Sequence, residues 1–117
     1  MADRYQWNYK ISLQNGRVRL PAPIIKSALE RNPGKIEDLQ FYLCEKDNYV
    51  SVYDEKIDDA SPAKFSSRCL VLPREVIQKA GLFKKVILIG VIDYFEIHSL
   101  NSKYLSKYLP CNFSGAE

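Results

Sequence analysis

Apolar and polar positions alternate along this chain with two periods, and the two periods recur in the same order. "YKISL" places Tyr9, Ile11 and Leu13 on one side of an extended segment, with Lys10 and Ser12 on the other. "NG" at Asn15-Gly16 signals a two-residue turn, because both residue types tolerate positive φ. The returning segment "RVRL" turns Val18 and Leu20 inward and leaves Arg17 and Arg19 outward. Pro21 or Pro23 then suits the opening turn of a helix, where a missing N–H costs nothing. Ile24, Ile25, Ala28 and Leu29 give that helix an apolar stripe. Two further extended runs follow, "LQFYLC" and "YVSVY", separated by the turn signal "EKDN".

The plan then returns. "VRLPAPIIKSAL" lies over "LVLPREVIQKAG" without a gap: Pro21 and Pro73 are 52 positions apart (73 − 21), and Leu20 falls on Leu72. Ile24 likewise falls on Val76, Ile25 on Ile77 and Ala28 on Ala80. The second helix runs from about Pro73 to Gly81, a helix-terminating glycine. "KVILIG" and "YFEIH", separated by "GVID", make a second hairpin. Tyr49 falls on Tyr94 at an offset of 45 (94 − 49), so the first copy is longer by 7 residues (52 − 45), visible as the Pro-Gly loop "RNPGKIEDL".

Each copy reads as strand, turn, strand, short helix and hairpin. The expected fold is mostly β with short helices, of the α+β class, in two tandem half-motifs over residues 5–55 and 65–98. A polar, proline-containing linker over 56–64 joins them, within the acidic stretch "SVYDEKIDDASPAKF". Ser99 is a suitable N-cap for an amphipathic helix over 99–109, with Leu100, Tyr104 and Tyr108 on one side and Lys103 and Lys107 on another; residues 110–117 read as a tail. A unit of roughly 50 residues with one short helix buries too little apolar surface to stand alone. The two copies are therefore expected to share one pseudo-twofold, barrel-like core, or to share it with another chain.

At 117 residues, with 46% hydrophobic and 26% charged residues, the composition is that of one compact domain and not of a disordered chain. A net charge of +3 permits a polyanionic partner without demanding one, so the case rests on where the cations sit. The start "MADRYQWNYK" is polar and does not read as an export signal, and the apolar run from Val86 to Ile92 is too short to cross a bilayer. Cys44, Cys69 and Cys111, an odd number with no C-x-x-C pair, read as reduced thiols in a cytoplasm. With one histidine, His98, no Cys/His metal cage is expected, and all four residues read as packing or surface. Asp54, Glu55, Asp58 and Asp59 lack the spacing of a calcium loop. No nucleophile adjoins a histidine and there is no phosphate loop, so neither an enzyme nor a cofactor, metal or small-molecule substrate is expected.

The arginines carry the candidate chemistry. Arg17 and Arg19 share one strand face just beyond a glycine turn, and a two-stranded ribbon fits the DNA major groove, where arginine grips guanine or holds phosphates. Asn15 and Gly16 let the backbone approach closely, and Lys10 and Gln14 stand on the paired strand. The competing reading is that both arginines merely solvate an exposed strand. Arg74 opens the second helix, an end that disfavours positive charge; either a partner anion or a tolerated surface charge accounts for it. Lys26 and Lys79 read as solvated helix faces, and Trp7, Phe41, Tyr104 and Tyr108 as core or subunit interface.

"NGRVRLPAPI" followed by a hairpin, and then "LVLPREVIQKAGLFKKVILIGVIDYFEIHS", resemble the MraZ family of bacterial transcription regulators, within the AbrB-type swapped-hairpin superfamily. The resemblance covers roughly residues 5–109 and is most specific from Leu70 to Ser99. It implies interleaved hairpins, a homo-oligomer with ring-like self-assembly, a cytoplasmic, nucleoid-associated location, and binding of double-stranded DNA at operator repeats as a repressor of the division and cell-wall gene cluster. It also implies a DNA contact at each Gly-Arg turn. Copy one keeps Gly16-Arg17; copy two has Arg68-Cys69, so Arg68 is displaced by one residue or sits in a bulge, and Val71 stands where copy one has Arg19. Leu13 and Phe65 occupy the positions where the family carries an acid. Two other readings remain: an interaction module that has lost its DNA contact, and an antitoxin-like protein that holds a partner.

Overall fold

The first element described is a hairpin: β1 (Trp7–Gln14) turns at Asn15-Gly16 into β2 (Arg17–Arg19), with Leu13 opposite Val18 and Gln14 opposite Arg17. The computed structural model describes residues 7–46, 48–90 and 94–100. Helix α1 (Ala22–Arg31) starts at Pro21, buries Ile24, Ile25 and Ala28, and leaves Leu29 half-exposed. The extra loop of the first copy holds a short 3-10 turn (Ile36–Asp38) before the hairpin of β3 (Phe41–Lys46) and β4 (Tyr49–Tyr53). Short strands β5 (Ser61–Ala63), β6 (Phe65–Ser66) and β7 (Cys69–Val71) lead to α2 (Arg74–Ala80). Gly81 ends α2 at φ 69, and β8 (Lys85–Gly90) and β9 (Tyr94–Ser99) follow.

The nine strands form one antiparallel sheet in the order β5-β3-β4-β9-β8-β1-β2-β7-β6. Its two ends are consecutive in the chain, with only Lys64 between β5 and β6, so the sheet bends into a nearly closed, barrel-like form. Ser61–Ala63, expected as part of the linker, is a strand instead: it pairs with β3, and Ala63 faces inward opposite Phe41. Its brevity and the central Pro62 hide it from a pattern search, because proline is tolerated only where no ladder N–H is needed.

Register relates the two copies. Val18 pairs with Leu70, its own counterpart at the offset of 52, flanked by Arg17↔Val71 and Arg19↔Cys69. Ser51 pairs with Glu96, its counterpart at the offset of 45, flanked by Val50↔Ile97 and Val52↔Phe95. The pair Ile11↔Val86 of β1 and β8 has the equivalent Ala63↔Phe41 in β5 and β3.

The interior draws on both copies. Val18, Leu20, Leu70 and Leu72 share one core cluster with the buried residues of α1 and α2 and with Val50, Val52, Leu88, Phe95 and Ile97 of the main sheet. Phe41 packs edge-on against Phe65 and Phe95, with centroids 5.0 and 6.3 Å away, which places it in the core. Strand β8 is buried on both faces from Val86 to Gly90. On the side away from the core, His98 Nε2 donates to Glu96 Oε1 at 2.8 Å, the Tyr94 hydroxyl donates to Glu96 at 3.3 Å, and the His98 ring stacks on Tyr49. His98, read as packing or surface, is thus a hydrogen-bonded packing residue with no exposed area. Arg31 Nε donates to Asp54 at 2.8 Å and ties the end of α1 to the exit of β4. Ser99 is the last residue of β9; the helix expected over 99–109, the tail, Cys111 and the Trp7 side chain lie outside the described residues.

Candidate nucleic-acid interface

Asn15 and Gly16 both adopt positive φ (52 and 74), the geometry of a two-residue hairpin turn that matches the twist of the flanking strands. Glycine adopts φ 74 at Gly16 without the strain a side chain would meet there, while the space itself is open, an added Cβ meeting the Leu72 carbonyl at an ordinary 3.4 Å. Alternation does the rest. Val18 is fully buried while Arg17 and Arg19 are exposed on the same face. The guanidinium groups therefore stand two residues apart on one side of the ribbon.

The second turn resolves the two registers open for Arg68. Ser67 and Arg68 have φ of 52 and 64, so they repeat the conformation of Asn15 and Gly16, and no extra residue bulges. Arg68 sits in the glycine's place, and its carbonyl accepts the Leu20 N–H at 2.9 Å, just as the Gly16 carbonyl accepts the Leu72 N–H at 2.8 Å. Cys69 begins β7 directly opposite Arg19. An arginine held in left-handed backbone costs about 1–2 kcal/mol relative to its relaxed conformations.

These turns meet in one concavity of about 770 Å³. Lys10, Asn15, Arg17, Arg19 and Arg68 all line it, together with Ser12, Gln14 and Cys69. No carboxylate is among the described residues lining it, and none of Arg17, Arg19 and Arg68 forms an ion pair among the described residues. The charged side chains among the described residues lining it are therefore all basic. Gly16 shapes the turn without lining the concavity. Arg74 is not brought to it: this residue is exposed at the first position of α2, on a different part of the surface.

Lys85 belongs with this face, and sequence reading passed over it together with its neighbour Lys84. Lys85 pairs with Ser12, so its side chain shares the face of Ser12, Lys10 and Gln14. The Leu13 N–H donates to the Lys84 carbonyl at 2.7 Å. The signal available in the sequence was the exposed-looking "FKK" before β8, but only the pairing of β8 with β1 sets it beside the ribbon.

No family model matches the chain, and neither does any curated protein.

A second depression, of about 580 Å³, lies over the other copy and has the opposite character. Ser61, Pro62 and Pro73 line it at the positions equivalent to Tyr9, Lys10 and Pro21, and its charged residues are Glu45, Asp59, Glu75 and Lys79. Lys79 is exposed, as expected of a solvated helix face, and its Nζ also approaches Glu45 at 3.5 Å. Among the described residues no group of three or more His, Cys, Asp or Glu side chains is arranged for a metal, and Cys44 and Cys69 are unbridged. No helix among the described residues is long and apolar enough to cross a membrane.

Proposed function

We propose that this chain is a sequence-specific, double-stranded-DNA-binding transcription regulator of the MraZ type. The supporting observation is the gathering of Lys10, Arg17, Arg19 and Arg68 on one concave face where the described residues supply no carboxylate. A β-ribbon enters a major groove about 12 Å wide, where arginine forms bidentate bonds to guanine. Asn15 and Gly16 at the tip donate close backbone approach, and Lys10, Lys84 and Lys85 take flanking phosphates.

The paired registers about Val18–Leu70 and Ser51–Glu96 support a pseudo-twofold relation between two half-motifs, with hairpins interleaved as in the swapped-hairpin superfamily. Homo-oligomerisation, ring-like in the resemblance, repeats the ribbon along operator DNA, so several weak contacts sum to avid binding. In this reading the protein is cytoplasmic and nucleoid-associated and represses the division and cell-wall cluster. An electrophoretic shift with the DNA upstream of its own reading frame tests it. Arg17→Ala should lower affinity at least about tenfold, the value of one lost bidentate contact. Wild-type protein that ignores this DNA at low salt would defeat the reading.

One observation favours a second reading. Cys69 and Val71 replace the arginine pair in the second copy, and the equivalent depression there is acidic. An interaction module that holds a basic partner fits that depression. It predicts a folded protein indifferent to Arg17→Ala and captured by a lysine-rich peptide; an antitoxin-like role predicts capture of a co-encoded partner.

A further inference from the structure

Phe83 is the one large hydrophobic side chain exposed among the described residues, with 69% of its surface accessible. A single exposed phenylalanine is ordinary. Its setting is less so. Gly81 ends α2 in left-handed backbone and Leu82 drops into the core, so the following residue is turned outward. The Leu13 N–H bond to the Lys84 carbonyl holds this segment beside the end of β1, next to the Asn15-Gly16 turn. Lys84 Nζ lies 5.4 Å from the ring centroid, and Lys85 stands opposite Ser12 on the arginine-bearing side of the ribbon. An exposed apolar ring is thereby carried by a segment whose backbone is hydrogen-bonded beside the arginine-bearing ribbon.

One ring offers too little apolar area to anchor a protein on a bilayer or to carry a subunit contact by itself. A DNA major groove, by contrast, exposes one apolar group per A·T pair, the thymine C5-methyl, and phenylalanine is among the side chains that read it. We infer that Phe83 reads a thymine methyl at the flank of the ribbon's footprint, while Lys84 and Lys85 hold the neighbouring phosphates. The inference rests on the arginine face being the DNA surface and adds a base preference that the arginines do not supply.

The test is fluorescence anisotropy with two duplexes of the DNA upstream of its own reading frame, one with thymine and one with deoxyuridine in its place, which differ in the methyl group. Wild-type protein should bind the thymine duplex about fourfold more tightly, the worth of one buried methyl. Phe83→Ala should bind both duplexes alike, and Phe83→Leu should keep part of the preference. Arg17→Ala should weaken both together and leave their ratio intact. Equal wild-type affinities, or an unchanged ratio in Phe83→Ala, would overturn the role of Phe83 while leaving the arginine face standing. Indifference of both duplexes to Arg17→Ala would remove the underlying reading. Loss of binding to phosphatidylserine vesicles, or a lighter sedimenting species, in Phe83→Ala with the ratio unchanged would assign the ring to a membrane or to a second subunit and overturn the inference.

Discussion

Arg68 and Gly16 occupy equivalent turn positions with nearly the same φ, yet one residue is at ease there and the other is strained. Strain of this kind persists where something else requires the side chain. The arginine contributes a guanidinium to the concavity that glycine would lack. Arg68→Gly should therefore raise unfolding free energy by about 0.5–1 kcal/mol, after allowance for the extra freedom glycine gives the unfolded chain. The same variant should bind DNA more weakly. Gly16→Ala should move stability the other way, by about 1 kcal/mol or more. Urea denaturation of both variants measures the two signs, and equal signs would mean that the turns are not equivalent.

Among the elements, β9 carries the most exacting demand. Glu96 and His98 are almost wholly buried on the side away from the core, with each satisfying the other at 2.8 Å. Removing Glu96 takes away the carboxylate that the His98 ring meets at 2.8 Å in a buried site. Glu96→Ala should cost about 3 kcal/mol, whereas the double change Glu96→Leu with His98→Phe should recover most of that, because a matched apolar pair has no desolvation to offset. Thermal melting of the two variants distinguishes this from a simple loss of packing. Period-two alternation made β1 and β2 legible in the sequence, extended runs bounded by turn signals made β3, β4, β8 and β9 so, and Pro21, Pro73 and Gly81 marked the helix ends. Strand β5 was not legible, since three residues with a central proline carry no period and the strand exists only through its partner β3.

Across the whole molecule, nearly every long-range pairing joins one copy to the other: β1 to β8, β2 to β7 and β4 to β9. Neither half retains a sheet with two covered faces if the other is removed. Fragments 1–56 and 57–117 should each lack a cooperative thermal transition and should recover one when mixed, as followed by circular dichroism. A cooperative melt from a monomeric fragment would contradict the shared core. The salt dependence of DNA affinity belongs to this scale as well. If about six phosphates are neutralised per assembly, affinity should fall on the order of a thousandfold between 50 and 200 mM salt.

The sequence by itself determined which side of each strand faces inward, where the chain turns, and that Arg17 and Arg19 share a face, because these depend on alternation and on the backbone freedom of single residues. It also carried the offset that relates the copies. Only the tertiary structure decided that Arg68 occupies a glycine's turn position and joins the same concavity, that Arg74 stands apart, and that Phe83, Lys84 and Lys85 flank the ribbon. Such neighbours lie more than fifty residues apart in the chain, and no local pattern encodes them. They follow from the register that lets two incomplete halves bury their apolar faces against each other.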